Sequence, residues 1–224
     1  MSSEIESAYR RRTVKRALEA FRSGKPVLIH DFDDREGETD LVYPAAAVTS
    51  QHVSRLRNDA GGLICVALAY EIAEAFELPF LSEEISHPVS ETGHLGYDDR
   101  SSFSLPVNHR DTRTGITDHD RALTISELGR AATDPDSIDF ASTFRSPGHV
   151  HLLKAADGLL SRRQGHTELG IALANAAGRE PAVVVCEMVD DETGAARSRE
   201  SAIQYANEHG FPFVDGTTLI NDLP

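Results

Sequence analysis

Lysine is almost missing from this 224-residue chain: Lys15, Lys25 and Lys154 are the only ones, and the rest of its 22 basic residues are arginines. Against them stand 36 acids, for a formal net charge of −14. Such a chain repels polyanions, so broad attachment to a nucleic acid or an anionic membrane is excluded, while a local anion site built from a few arginines is not. Cysteine is equally scarce. Cys65 and Cys186 form no CxxC pair and are too few for a disulfide framework, so reduced thiols in a cytoplasmic protein are expected. No apolar run approaches the roughly 20 residues of a membrane span, and the first residues hold no apolar stretch followed by a small-residue cleavage site. Neither membrane insertion nor secretion is expected.

The charge imbalance carries a further expectation. Acidic surfaces repel themselves unless salt screens them, so this composition suits a salt-adapted protein. Withdrawing salt is expected to unfold the chain. A circular-dichroism melt that is unchanged between molar and millimolar salt refutes this.

What is present looks globular: hydrophobic residues make up 40% and charged residues 26% of the chain. Residues 5–23 read as an amphipathic helix with Val14, Leu18 and Phe21 on one face, stopped by Gly24. Apolar runs at 26–32, 41–48, 63–69, 103–109, 149–155 and 181–188 read as strands, and FPFVD as a shorter one. Helices are expected after Thr49, from a Thr124–Glu127 capping box, over 167–177 closed by Gly178, and over 198–209 closed by Gly210. Residues 82–102 read as an irregular polar connection. No linker or repeat interrupts this order, so one mixed α and β domain over 1–224 is expected, and the short link from 32 to 41 points to an antiparallel strand pair.

Two segments stand out chemically. In Arg35-Glu36-Gly37-Glu38-Thr39-Asp40, an extended backbone places Glu36, Glu38 and Asp40 on one side, where a hard divalent cation relieves their repulsion; the bland reading is a solvated acidic turn. In Arg162-Arg163-Gln164-Gly165-His166-Thr167, a helix start follows a basic pair. Its free N–H groups, the Arg163 fork, the Thr167 hydroxyl and the space at Gly165 suit a phosphate, and His166 offers a nitrogen to a nearby metal. The alternative is a plain helix cap flanked by surface arginines. Glu187 at the end of an apolar strand and His149 after Pro-Gly are candidate proton carriers. Cys65 is a buried hydrophobe or a site thiol, and the loop 111–117, with Thr112, completes an anion pocket or is a simple turn.

Together DDREGETDLVYPA (33–45), HRDTRTGITDHDRALTI (109–125), the segment 146–188 and ARSRESAIQYANEHG (196–210) resemble the 3,4-dihydroxy-2-butanone 4-phosphate synthases of riboflavin biosynthesis, in order and over nearly the whole chain. The zinc-binding cysteines of a fused GTP cyclohydrolase II are missing, so the monofunctional form is expected. The resemblance implies an α+β fold of three layers around a mixed twisted sheet, working as a homodimer with sites shared between subunits. It implies a lyase that converts D-ribulose 5-phosphate to L-3,4-dihydroxy-2-butanone 4-phosphate and formate with Mg²⁺ or Mn²⁺. Glu36 and His166 would hold the metal. Arg35 and Asp40 would touch the sugar, and Arg163, Gly165, His166 and Thr167 its phosphate end. His149 and Glu187 would move protons, with Glu38 or Asp40 as the first base; Cys65 and Thr112 would line the site. A phosphosugar isomerase on the same pockets and a non-catalytic phosphosugar binder are the competing readings.

Overall fold

The computed structural model describes residues 3–32, 34–90, 98 and 100–224. Within them the strands are β1 (Val27–His30), β2 (Thr39–Pro44), β3 (Cys65–Leu68), β4 (Phe103–His109), β5 (Phe144–Lys154), β6 (Ala182–Val185) and β7 (Phe213–Asp215). The helices are α1 (Ser3–Arg22), α2 (Ser50–Arg55), α3 (Tyr70–Ala75), α4 (Leu81–Glu84), α5 (Asp118–Ala131), α6 (Phe140–Thr143), α7 (His166–Ala177), α8 (Arg199–His209) and α9 (Gly216–Asp222). The strands join one sheet in the order β4-β5-β3-β6-β2-β1-β7. It is mixed: β1 pairs antiparallel with β2 and parallel with β7, while β3 lies parallel to β5 and antiparallel to β6. The fold class is therefore α+β with a mixed sheet between helical layers.

Strand alternation decides which face each helix covers. Val42 and Val183 point to the α7 side, where Gly170 leaves so little room that an added Cβ would meet Val183 Cγ2 at 2.8 Å. Tyr43 and Cys186 point the other way. Tyr43 stacks on His52 of α2 at 4.7 Å, and the Cys186 thiol faces the Leu56 carbonyl at 3.7 Å. The central strands β1, β2, β3 and β6 are buried on both faces, which is why β3 and β6 are unbroken apolar runs; β1 and β2 are apolar except for His30 and for Thr39 and Asp40. Val14, Leu18 and Phe21 of α1 are buried as their spacing predicts. Both cysteines are buried and unpaired with each other. No described helix is long and apolar enough to cross a membrane.

Four expectations are corrected. Helix α5 begins at Asp118, not at Thr124, because Thr117 caps it by accepting the Asp120 N–H at 3.1 Å. The Thr124 hydroxyl instead accepts the His109 N–H at 2.9 Å, joining helix to sheet. The run 41–48 leaves the sheet at Pro44, and Ala45–Ala47 form a tight turn beneath Gly129 of α5, whose added Cβ would lie 2.2 Å from the Ala46 nitrogen. Strand β5 starts five residues before His149, at Phe144, and residues 146–149 bulge out of its ladder with β4, which passes from Arg145 opposite Asn108 to Val150 opposite Val107. The fourth concerns α3, which the sequence reading left out: it has a single turn and a half of apolar anchor in Ile72 and Ala73. The expected connection 82–102 lies partly outside the described residues.

Candidate functional site

The acidic loop between β1 and β2 is shaped by a residue the motif reading overlooked. Asp31 Oδ2 accepts the Glu36 N–H at 3.3 Å and the Arg35 guanidinium at 3.2 Å, while Oδ1 accepts the Glu38 N–H at 3.0 Å. Gly37 sits at φ +67°, a conformation that favours glycine. The segment is therefore a turn as far as Glu38, and only Asp40 stands on the strand, bridged to Glu187. Chain reversal, not strand alternation, brings the carboxylates together.

At the other edge, α7 starts at His166 with Gly165 as its cap, so Thr167 lies inside the first turn and both side chains are buried. The expected capping role of Thr167 is thus taken by backbone geometry at Gly165. A Cβ there would lie 2.5 Å from Arg163 Nη1 and 2.9 Å from Arg35 Nη2, so glycine lets the two guanidinium groups converge on the helix start. The fully buried Glu168 aims Arg163: Oε2 accepts from its Nη1 at 2.5 Å, and Oε1 accepts the Ala156 N–H at 3.0 Å. Asp98 lies across both arginines, at 2.7 Å from Arg35 Nη2 and 2.5 Å from Arg163 Nε. Burial opposes its ionisation, but the Arg163 and Arg35 charges outweigh that and hold its carboxyl below the ordinary value.

The two segments meet. His166 Nδ1 is 3.3 Å from Glu36 Oε2 and 3.7 Å from Asp40 Oδ1. Burial pushes the Asp40 carboxyl up to about 8, and the charges of Glu187, Glu36 and Glu38 add to this against the pull of His166. Burial alone would lower His166, yet Asp40, Glu36 and Asp31 lift it to about 9. Glu38 is raised by burial and by Glu36 and Glu187. At neutral pH the cluster thus holds protons that isolated groups would not, the situation a divalent cation relieves. Ligand atoms of Asp31, Glu36 and His166 lie within 4.8 Å of one another. His166 Nε2 and Asp40 Oδ1 are buried without a hydrogen-bond partner among the described residues. Oxygen-rich donors with one imidazole and these orphaned atoms fit a hard divalent ion.

One cleft is lined by Glu36, Asp40, Cys65, Asp98, Arg163, His166, Thr167 and Glu187, and Arg35 pairs with two of its lining residues, Glu36 and Asp98. Glu187 is held by the loop before β3, its Oε2 accepting the Leu63 N–H at 2.8 Å. The Cys65 sulfur is a thiol, since burial and then Glu187 and Asp40 push it well above the ordinary value. His149 and Thr112 do not line this cleft. His149 is exposed on β5, and the buried Thr112 donates its hydroxyl to the His109 carbonyl at 2.7 Å. In loop 111–117 the amides of Arg113, Thr114 and Gly115 are taken by the Asp120 carboxylate, so it is an ordered turn. Asp31, Asp98 and Glu168 are the residues sequence reading missed. Only Glu168 carried a signal, as an acid in the first turn of a helix behind two arginines.

A mixed sheet whose face carries a carboxylate and imidazole cluster, next to a helix start flanked by two arginines, offers donors of the kind a divalent ion takes beside charges of the kind a small anion takes. The family model for 3,4-dihydroxy-2-butanone 4-phosphate synthase matches residues 15–222. Among relatives so named, that of Archaeoglobus fulgidus is 52% identical over 216 residues, covering 91% of each chain. That of Methanosarcina mazei is 49% identical over 225 residues, 95% of this chain and 91% of the relative. The crystal structure of the Candida albicans synthase superimposes with a TM-score of 0.78 at 32% identity, covering 94% of this chain and 97% of its own. A synthase solved in complex with two magnesium ions gives 0.77 at 31% identity over 92% of this chain and 94% of its own. The chain belongs to the 3,4-dihydroxy-2-butanone 4-phosphate synthase family, a family of enzymes.

Proposed function

We propose that this protein is a lyase of riboflavin biosynthesis that converts D-ribulose 5-phosphate to L-3,4-dihydroxy-2-butanone 4-phosphate and formate, as one synthase domain over 1–224. The observation that carries the reading is the 3.3 Å approach of His166 to Glu36 next to the Arg35 and Arg163 pair. Glu36 and His166 would hold Mg²⁺, the ion present in a solved relative, with Mn²⁺ as its substitute. Such an ion polarises a carbonyl and acidifies the neighbouring C–H. Arg163, Thr167 and the free N–H groups after Gly165 bind the phosphate end, and that remote binding energy orients the reacting end. Arg35 and Asp40 contact the sugar, and Cys65 packs against it as a neutral thiol. Glu38 or Asp40 takes the first proton; burial makes each a stronger base than a solvated carboxylate. Glu187 and His149 carry protons in later steps.

His149 and Thr112 reach this cleft in a homodimer, each copy completing the other's site. The exposure of His149 outside its own chain's cleft supports this. The acidic charge leaves no nucleic-acid surface, and the unpaired thiols suit the cytoplasm. Purified protein given ribulose 5-phosphate and Mg²⁺ is expected to release one formate per substrate, to stop in excess EDTA, and to resume with added Mg²⁺ or Mn²⁺. Isomerisation without formate makes it a phosphosugar isomerase, binding without turnover makes it a binder, and formate that persists in EDTA removes the metal.

A further inference from the structure

The basic face of α1 has no part in the chemistry above. Its Tyr9, Arg12 and Arg16 share one cavity with Arg199 of α8, over a floor that includes Phe211 and Phe213. That floor runs into β7, the edge strand at the opposite end of the sheet from β4. The cavity measures about 210 Å³, and it adjoins one of about 260 Å³ that shares Arg16 and Phe211 and adds Lys25. Joined, they form a groove above the roughly 300 Å³ at which small-molecule pockets begin. None of the residues lining it lines the catalytic cleft.

Its charge runs against that of the molecule. Acids outnumber bases 36 to 22 in this chain, yet among the described residues no carboxylate pairs with Arg12 or Arg16. The Arg12 guanidinium lies 5.8 Å from the centroid of the Tyr9 ring. The two arginines stand four residues apart on α1, a spacing at which like charges repel. The acids nearby are already taken. Asp215 accepts from Arg199 Nη2 at 2.8 Å and from its Nε at 3.0 Å, and Glu19 pairs with Lys15 at 3.9 Å. What the groove leaves uncompensated is therefore positive. Phosphate suits guanidinium forks, whose paired N–H donors match two of its oxygens. The faces of Tyr9, Phe211 and Phe213 offer contact to a flat ring beside it, and Phe213 already carries the Arg199 guanidinium at 5.3 Å. A polyanion meets the repulsion of the whole acidic surface, whereas a small phosphate meets only the local field.

We propose that the groove between α1 and α8 is a second ligand site, separate from the catalytic cleft, that takes a small phosphomonoester carrying a planar ring, of the nucleoside monophosphate class. Arg12 and Arg16 hold the phosphate, and the aromatic floor holds the ring. The test is calorimetric titration of the intact protein with AMP, adenosine and inorganic phosphate, repeated in Arg163→Ala to blank the cleft. AMP is expected to bind one equivalent of wild type and of Arg163→Ala alike, roughly tenfold or more tightly than adenosine or phosphate alone. Arg12→Ala and Arg16→Ala are exposed changes that leave the circular-dichroism melt in place, and each weakens AMP about tenfold. AMP binding that Arg163→Ala abolishes and the two α1 variants leave intact puts the ligand in the cleft and overturns the proposal. Equal affinity for AMP and phosphate overturns it by removing the ring contact, and no heat at millimolar AMP overturns it outright. Self-association that the two α1 variants abolish, with no AMP bound, makes a second copy the occupant and overturns it too.

Discussion

Glu36→Ala is expected to reduce formate release by about a thousand-fold or more, because several kcal/mol of charge stabilisation leave with the metal and each ~1.4 kcal/mol is a factor of ten. The fold survives. Glu36 lies in a turn whose shape comes from Asp31 and Gly37, and its side chain is 23% exposed. Thermal melts separate the two effects. Mg²⁺ raises the melting temperature of the wild type by binding only the native state, and leaves the variant unmoved. Without metal the variant loses roughly 1 kcal/mol of ion pairing with His166, within a definite pH window. Burial opposes the Glu36 charge but His166 and Arg35 hold its carboxyl below the ordinary value, so the pair stabilises above pH 4.5 and fades as pH falls through that lowered value. His166 is lifted to about 9, so its contribution is complete below the ordinary 6.5 and is lost as pH rises through about 9. A variant that melts like the wild type at pH 7 and still makes formate removes Glu36 from the site.

Mixing two inactive variants is expected to restore activity. His149→Ala and Glu36→Ala each ruin every site in their own dimers. After subunits exchange in an equal mixture, half of the dimers hold one copy of each, and each mixed dimer assembles one intact site from Glu36 of one copy and His149 of the other. About a quarter of wild-type activity should therefore return if C₂ pairing completes the site. The geometry motivates this: the Glu36, His166 and Arg163 cleft and the exposed His149 are separate on one chain. If one chain supplied both groups to its own site, mixed dimers would stay dead, and a formate rate of zero after verified exchange would end the shared-site reading.

The fold was legible where burial is two-sided. Strands such as 182–185 are apolar throughout because helices cover both faces, so composition alone reveals them. Boundaries were not legible where a distant residue decides them. Thr124 has a capping-box spacing, yet its hydroxyl serves the His109 backbone, and nothing local reports that. Likewise Ala45–Ala47 read as strand until Gly129 of α5 packs against them. At the site, Glu36, Asp40, His166 and Arg163 were found from residue type and spacing, because metal and phosphate chemistry restrict both. Asp31 and Glu168 went unnoticed because each acts on groups the chain delivers only after folding, such as the Ala156 amide. His149 and Thr112 were singled out from local pattern, a histidine after Pro-Gly and a hydroxyl in a Gly-containing loop, and nothing in that pattern indicated that they lie outside the cleft.

Asp31 grips main-chain amides, and main-chain amides are the same whatever side chains they carry. The socket at residues 36–38 is therefore a fitting whose outline does not depend on what is plugged into it. Exchanging the carboxylate at 36 for another donor is expected to retune the preference for the proposed ion without redrawing the loop, which makes this position a natural place to engineer a different metal into this scaffold.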